Sequence, residues 1–150
     1  MGTHYQGPEA ERRALSAFIN LMRAAETLSA ALSRRVAAEG LSLRQFGVLE
    51  ALHHLGPLPH CELGRKLLKT SGDITMVVTN LEKRGLVERQ RDEGDRRVVT
   101  VHLTGEGRAL IERMFPGHAA GITDDLSPLT PEEQETLRRL CRKLGKREEE

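Results

Sequence analysis

The apolar positions of this chain keep a helical period up to Gly85, alternate in twos as far as Leu103, and then return to helical spacing. Over residues 9–38, Leu15, Phe18, Ile19, Met22, Ala25, Leu32 and Val36 recur at that spacing, while Arg12, Arg23, Glu26 and Arg34 fall mainly on the other sides. This predicts one long amphipathic helix that ends at Gly40. Ser42 and Gln45 then form a capping box, with Leu41 and Phe46 at the two positions of a hydrophobic staple. The helix they open runs to about residue 54, buries Leu49 and Leu52, and stops at Gly56-Pro57.

Two shorter helices follow. The first covers about 60–67, with Leu63 and Leu67 inward; the second covers about 72–84, with Ile74, Val77, Val78 and Leu81 as its buried stripe. Lys69-Thr70-Ser71-Gly72 is the turn between them. Gly85 supplies the left-handed residue that closes the second helix, and Leu86 is placed to pack back on Leu81. Residues 86–91 and 98–103 then read as strands, since Val99, Val101 and Leu103 alternate with Val98, Thr100 and His102. The turn formers and charges of residues 92–97 make the link a charged hairpin tip. Thr104 caps a further helix carrying Leu110, Ile111, Met114 and Phe115, which Pro116 is expected to kink or interrupt before it resumes through Ile122 and Leu126. Thr130-Pro131-Glu132-Glu133 starts the last helix, whose stripe is Leu137, Leu140 and Leu144.

These elements predict a mainly α fold with a small β-hairpin wing, a winged helix-turn-helix flanked by long terminal helices. At 150 residues the chain suits a single domain. Its 38% apolar and 30% charged residues fit a globular helical protein rather than a disordered one. No apolar run approaches the roughly 18 residues of a membrane span, and the first eight residues lack the apolar core of a secretion signal, so a cytoplasmic protein is expected. Cys61 and Cys141 are far apart and read as two reduced thiols, structural rather than redox-active.

The net charge of +1 does not announce a nucleic-acid binder. Residues 58–108 carry ten Lys/Arg against eight Asp/Glu, and residues 109–150 seven against nine, so the case rests on where charges stand. The scarcity of aromatic residues, with no Trp, argues against single-strand binding by base stacking. What remains is duplex DNA. The outward face and leading turn of helix 72–84 hold Thr70, Ser71, Asp73, Thr75, Met76, Thr79, Asn80 and Lys83. Short polar side chains there suit base edges, Met76 suits a thymine methyl, and Lys83 suits a phosphate. Gly72 lets the helix N-terminus approach the backbone. Arg89, Arg91, Arg96 and Arg97 cluster on or beside the hairpin, where an exposed tip arginine suits a narrow minor groove, and Asp95 can hold Arg97 by a charge-assisted pair.

The runs Leu63-Gly64-Arg65-Lys66-Leu67, Ser71-Gly72-Asp73-Ile74-Thr75, Leu81-Glu82-Lys83-Arg84-Gly85-Leu86-Val87-Glu88-Arg89, Asp95-Arg96-Arg97 and Leu103-Thr104-Gly105-Glu106-Gly107 resemble the MarR family of transcriptional regulators over nearly the whole chain. The resemblance implies homodimers built from the N- and C-terminal helices, palindromic operators, and a small-molecule effector cleft between the dimer-forming and DNA-binding regions. It also implies that Arg97 enters the minor groove with Asp95 supporting the wing. In that layout residues 9–38 and about 105–147 are dimerisation helices and about 42–104 the DNA-binding region. Leu15, Phe18, Ile19, Met22, Leu137, Leu140 and Leu144 are the expected dimer contacts, an apolar excess that a small winged domain cannot cover. The effector-binding residues are unknown from sequence.

No cofactor and no metal are expected. His53 and His54 are neighbours that diverge by about 100° on a helix, and a site drawn from His54, His60 and Cys61 belongs to the alternative of a metal- or redox-responsive regulator. A winged-helix protein-interaction module is the other alternative. No phosphate loop, Gly-x-Ser-x-Gly or paired acid–base motif supports an enzyme.

Overall fold

A computed structural model describes residues 2–67 and 71–146, with the backbone alone at 71 and 72. The order is α1 (Glu9–Ala37), α2 (Leu43–Leu55), β1 (Leu58–Pro59), α3 (His60–Lys66), α4 (Ser71–Lys83), β2 (Val87–Arg91), β3 (Val99–Leu103), α5 (Gly105–Asp125) and α6 (Pro131–Gly145). Two compact units result, Met1–Pro116 and Gly117–Glu150. Within the described residues no helix is long and apolar enough to cross a membrane.

Local chemistry sets the helix ends. Ser42 accepts from the Gln45 N–H while Gln45 returns the bond to the Ser42 N–H, and Thr130 and Glu133 do the same for α6. Leu41 and Phe46 are both buried, as the staple requires. Gly85, at φ 73°, ends α4: its N–H reaches the Glu82 carbonyl and that of Leu86 reaches Leu81, each within 3.0 Å.

The core of the first unit gathers Val36 from α1, Phe46, Val48, Leu49 and Leu52 from α2, Leu63 from α3, and Ile74, Val77, Val78 and Leu81 from α4. Val87, Val101, Leu110 and Ile111 close it from the sheet and α5. Burying each such side chain stabilises the fold by about 1.5–3 kcal/mol, so the buried stripe of α4 determines which of its faces remains outside.

Two features differ from the sequence reading. The hairpin is the larger part of a three-stranded antiparallel sheet ordered β1-β3-β2, in which Leu58 and Pro59 face Val101 and Thr100. Pro59 has no N–H to donate, so this strand stands at an edge, and two residues give no alternation to read. Pro116 does not interrupt α5, which is helical through it, although the boundary between the compact units falls there. Leu137, Leu140 and Leu144 are exposed, as are Leu15, Phe18 and Met22, and Ile19 is half-buried. The single chain leaves both stripes uncovered.

Candidate nucleic-acid interface

With Ile74, Val77, Val78 and Leu81 inside, α4 turns Thr75, Met76, Asn80 and Lys83 outward and leaves Thr79 half-buried. Met76 is 64% exposed, a large apolar side chain turned to solvent. Asp73 remains partly exposed and stands 3.9 Å from Arg44 on α2, which partly offsets its charge. Thr70 lies outside the described residues, and Ser71 and Gly72 are described only as the opening of α4.

Arg89 fixes this helix to the wing. From β2 its Nη2 donates to Thr79 Oγ1 at 2.8 Å and to the Thr75 carbonyl at 3.0 Å. Its Nη1 pairs with Glu82 Oε1 at 3.3 Å, and its backbone N–H donates to Glu82 Oε2 at 3.1 Å. Residues 75, 79 and 82 share one helical face, so a single planar guanidinium grips α4 along two turns. The same bond commits the Thr79 oxygen as an acceptor and leaves its O–H to donate. Arg84 anchors the other end of the helix by donating to the Gly40 carbonyl at 2.7 Å.

The wing tip is built as the spacing suggested. Asp95 Oδ1 accepts from both the Arg97 N–H and Nε at 3.1 Å, and Oδ2 lies 3.4 Å from Nη2. These bonds, the side-chain ones first, hold the Asp95 carboxyl below its ordinary pKa. The Arg97 side chain remains 92% exposed, oriented along one edge only. Arg96 is exposed and its carbonyl accepts from Arg91 at 2.9 Å, which braces the turn from β2.

Between α4 and the wing runs a groove of about 490 Å³ lined by Pro59, His60, Thr75, Thr79, Arg89, Arg91 and Arg97, among others. His60 Nε2 lies 3.4 Å from Thr75 Oγ1. Partial burial and then the Arg89 charge hold His60 below its ordinary pKa. Thr75 and Thr79 of the helix and Arg97 of the wing therefore flank a single groove, with Arg89 and Arg91 on its wall.

The family model for MarR matches residues 41–99, the segment that holds α2, α3, α4, β2 and the turn of the wing. The HTH-type transcriptional regulator MhqR of Bacillus subtilis is 36% identical over 133 residues, spanning 89% of this chain and 92% of that protein. This chain belongs to the MarR family. Sco3205, a MarR-family transcriptional regulator of Streptomyces coelicolor solved in complex with DNA, is 27% identical with a TM-score of 0.84, covering 95% of this chain and 90% of its own. Bordetella bronchiseptica BpsR, whose DNA binding is regulated by 6-hydroxynicotinic acid, is 29% identical with a TM-score of 0.79, covering 86% of this chain and 98% of its own. The winged helix, the family and the relatives place this MarR-family chain among DNA-binding transcriptional regulators, not enzymes.

Cys61, Cys141, His53 and His54 are the other side chains singled out in the MarR-family sequence. Cys61 and Cys141 are free and both exposed, so neither is a core residue as a structural thiol would be. Cys61 borders the groove because Leu63 and Gly64 take the inward face of α3. The His53 and His54 rings do not diverge fully: their centroids are 4.9 Å apart, and both approach Phe115, at 6.4 and 4.7 Å. Edge-on packing against one ring from α5 draws them together. Among the described residues no three His, Cys, Asp or Glu side chains are placed to hold a metal ion. The sequence reading missed the parts played by Arg89, Arg84 and His60. Arg89 stood in the expected cluster, but nothing local distinguishes an arginine aimed at solvent from one folded onto a helix.

Proposed function

We propose that this chain is a sequence-specific repressor that binds palindromic duplex operators as a homodimer in the cytoplasm and is released by a small-molecule effector. The observation that carries the reading is the shared groove. Thr75 and Thr79 of α4 and Arg97 of the wing line it together, with Arg89 bonded across. Thr70, Ser71, Thr75, Met76, Thr79, Asn80 and Lys83 would face a major groove, while Arg96 and Arg97 would reach the adjoining minor groove. Effector control is supported by the ligand-regulated relative BpsR.

Sequencing the genomic fragments that the purified protein retains gives the operator. On that operator, Arg97→Ala should weaken binding and lower the salt slope by about one unit per protomer, because each loses an inserted cation and its Asp95 carboxylate is left facing phosphates. Thr75→Val should cost about 1–3 kcal/mol on the operator and far less on random duplex. Unchanged titrations for a folded Arg97→Ala protein would remove the wing from the interface.

The dimer follows from uncovered apolar surface. Phe18 is 58% and Met22 52% exposed on α1, and Leu140 and Leu144 are 55% and 58% exposed on α6. A second copy of the chain covers such stripes and supplies the twofold axis that a palindrome needs. In this layout residues 9–38 and 105–147 form the dimer and residues 42–104 read DNA. Light scattering should show a dimer at micromolar concentration, and a well-folded monomer would sink the assignment.

A further inference from the structure

In the channel between α4 and the wing, His60 is a titratable side chain standing among cations that never release their protons. Thr75 Oγ1 faces its Nε2 from α4. Arg89 and Arg91 line the same groove from β2, Arg97 from the wing turn, and Cys61 from His60's own helix. The remaining contributions of α4, β1 and β3 are Thr79, Pro59 and Val99, which carry no charge. No carboxylate is among the groove's described lining, and the nearby Glu82 is already bonded to Arg89. An imidazolium here therefore has cations around it and no counterion.

We propose that His60 is a phosphate contact of this face and takes up a proton when duplex DNA binds. The inference rests on the DNA-binding reading above and adds a linked proton to it. In the free chain, partial burial and Arg89 both disfavour the charged ring. A phosphate backbone entering the groove reverses the second of these effects. It supplies the missing anion, offsets the arginine field, and offers acceptor oxygens to both ring N–H groups of an imidazolium. A neutral ring has a single N–H whereas the imidazolium has two, so protonation adds a donor at the moment an acceptor arrives.

The sign follows from linkage. If the ring's pKa is higher in the complex than in the free chain, binding consumes a proton throughout the interval between the two values. Affinity then rises as pH falls across that interval, by up to about tenfold per protomer for each pH unit, and levels off outside it. The other groove cations do not titrate in this range.

The test uses the full chain and a fluorescent random-sequence duplex long enough for two half-sites, titrated at low salt from about pH 6 to about pH 8. The parent should tighten as pH falls. His60→Gln places an amide near the Nε2 position but cannot charge, so it should bind as the parent does at the alkaline end and lose the pH dependence. His60→Lys, a fixed cation, should hold near the parent's acid-end affinity at every pH. Calorimetry of the parent in two buffers of different ionisation enthalpy should count protons taken up on binding, which keeps the test decisive even if a variant folds poorly. A parent that takes up no proton, or a His60→Gln protein with the parent's slope, overturns the inference and leaves the DNA reading standing. A parent that binds no duplex at any pH overturns the DNA reading itself.

Discussion

Replacing Gly107 by alanine is expected to lower the unfolding free energy by about 3 kcal/mol or more, a loss beyond most single substitutions. A Cβ built at Gly107 drives into the Leu86 carbonyl oxygen, stands 2.9 Å from that carbonyl carbon, and meets Leu103 Cδ2 at 3.3 Å. The first two obstacles are backbone and cannot rotate away. The close approach exists because Thr104 stitches the root of the wing to α5. Its hydroxyl donates to the Gly85 carbonyl at 2.6 Å and accepts from the Gly107 N–H at 3.0 Å, while its own N–H reaches the Leu86 carbonyl at 3.1 Å. Gly105, two residues earlier, has nothing within 4 Å of its virtual Cβ. Gly105→Ala should therefore be neutral or slightly stabilising, since it lowers only the entropy of the unfolded chain. Urea unfolding of both variants at one protein concentration compares them. Equal stabilities would mean that the root of the wing gives way freely.

The elements legible in the sequence were those whose signal lies within a few residues. Ser42 and Gln45, or Thr130 and Glu133, satisfy each other across one helical turn, so their chemistry and their spacing are the same fact. The Gly85–Leu86 closure and the Asp95–Arg97 pair are similarly local. What escaped the reading depends on residues far apart in the chain. β1 exists because Leu58 meets Val101, and the Arg84 anchor because Gly40 lies beside the end of α4. Asp73 remains partly exposed at the head of α4, and its approach to Arg44 on α2 is a contact that helical period alone does not show. The outward face of α4 was thus recoverable from its apolar stripe, whereas the attachments that hold α4 to the wing were not.

The attachment with most leverage over recognition is Arg89, and Arg89→Met should weaken operator binding by about 10–100-fold, with the helices and sheet retained. The side chain is 25% exposed and its partner Glu82 42%, so the ion pair itself contributes only about 1 kcal/mol to folding. Its larger effect is geometric. In the proposed complex an operator would engage the helix and the wing at once, and each contact would be made at little entropic cost only if the other had already placed it. Without the guanidinium, Thr75 and Thr79 no longer share a bond with β2, and the wing can swing relative to the reading face. Random duplex makes no register-dependent contacts, so its affinity should fall much less. Charge and position are separable through Arg89→Lys. An ammonium keeps the positive charge but cannot reach the Thr75 carbonyl, Thr79 Oγ1 and Glu82 together with the planar geometry that Arg89 uses. Lysine should therefore restore the salt dependence on random duplex without restoring preference for the operator. Full recovery of operator affinity with lysine would make Arg89 a simple phosphate counter-charge, and an unaffected Arg89→Met protein would show that the wing and α4 are held together elsewhere.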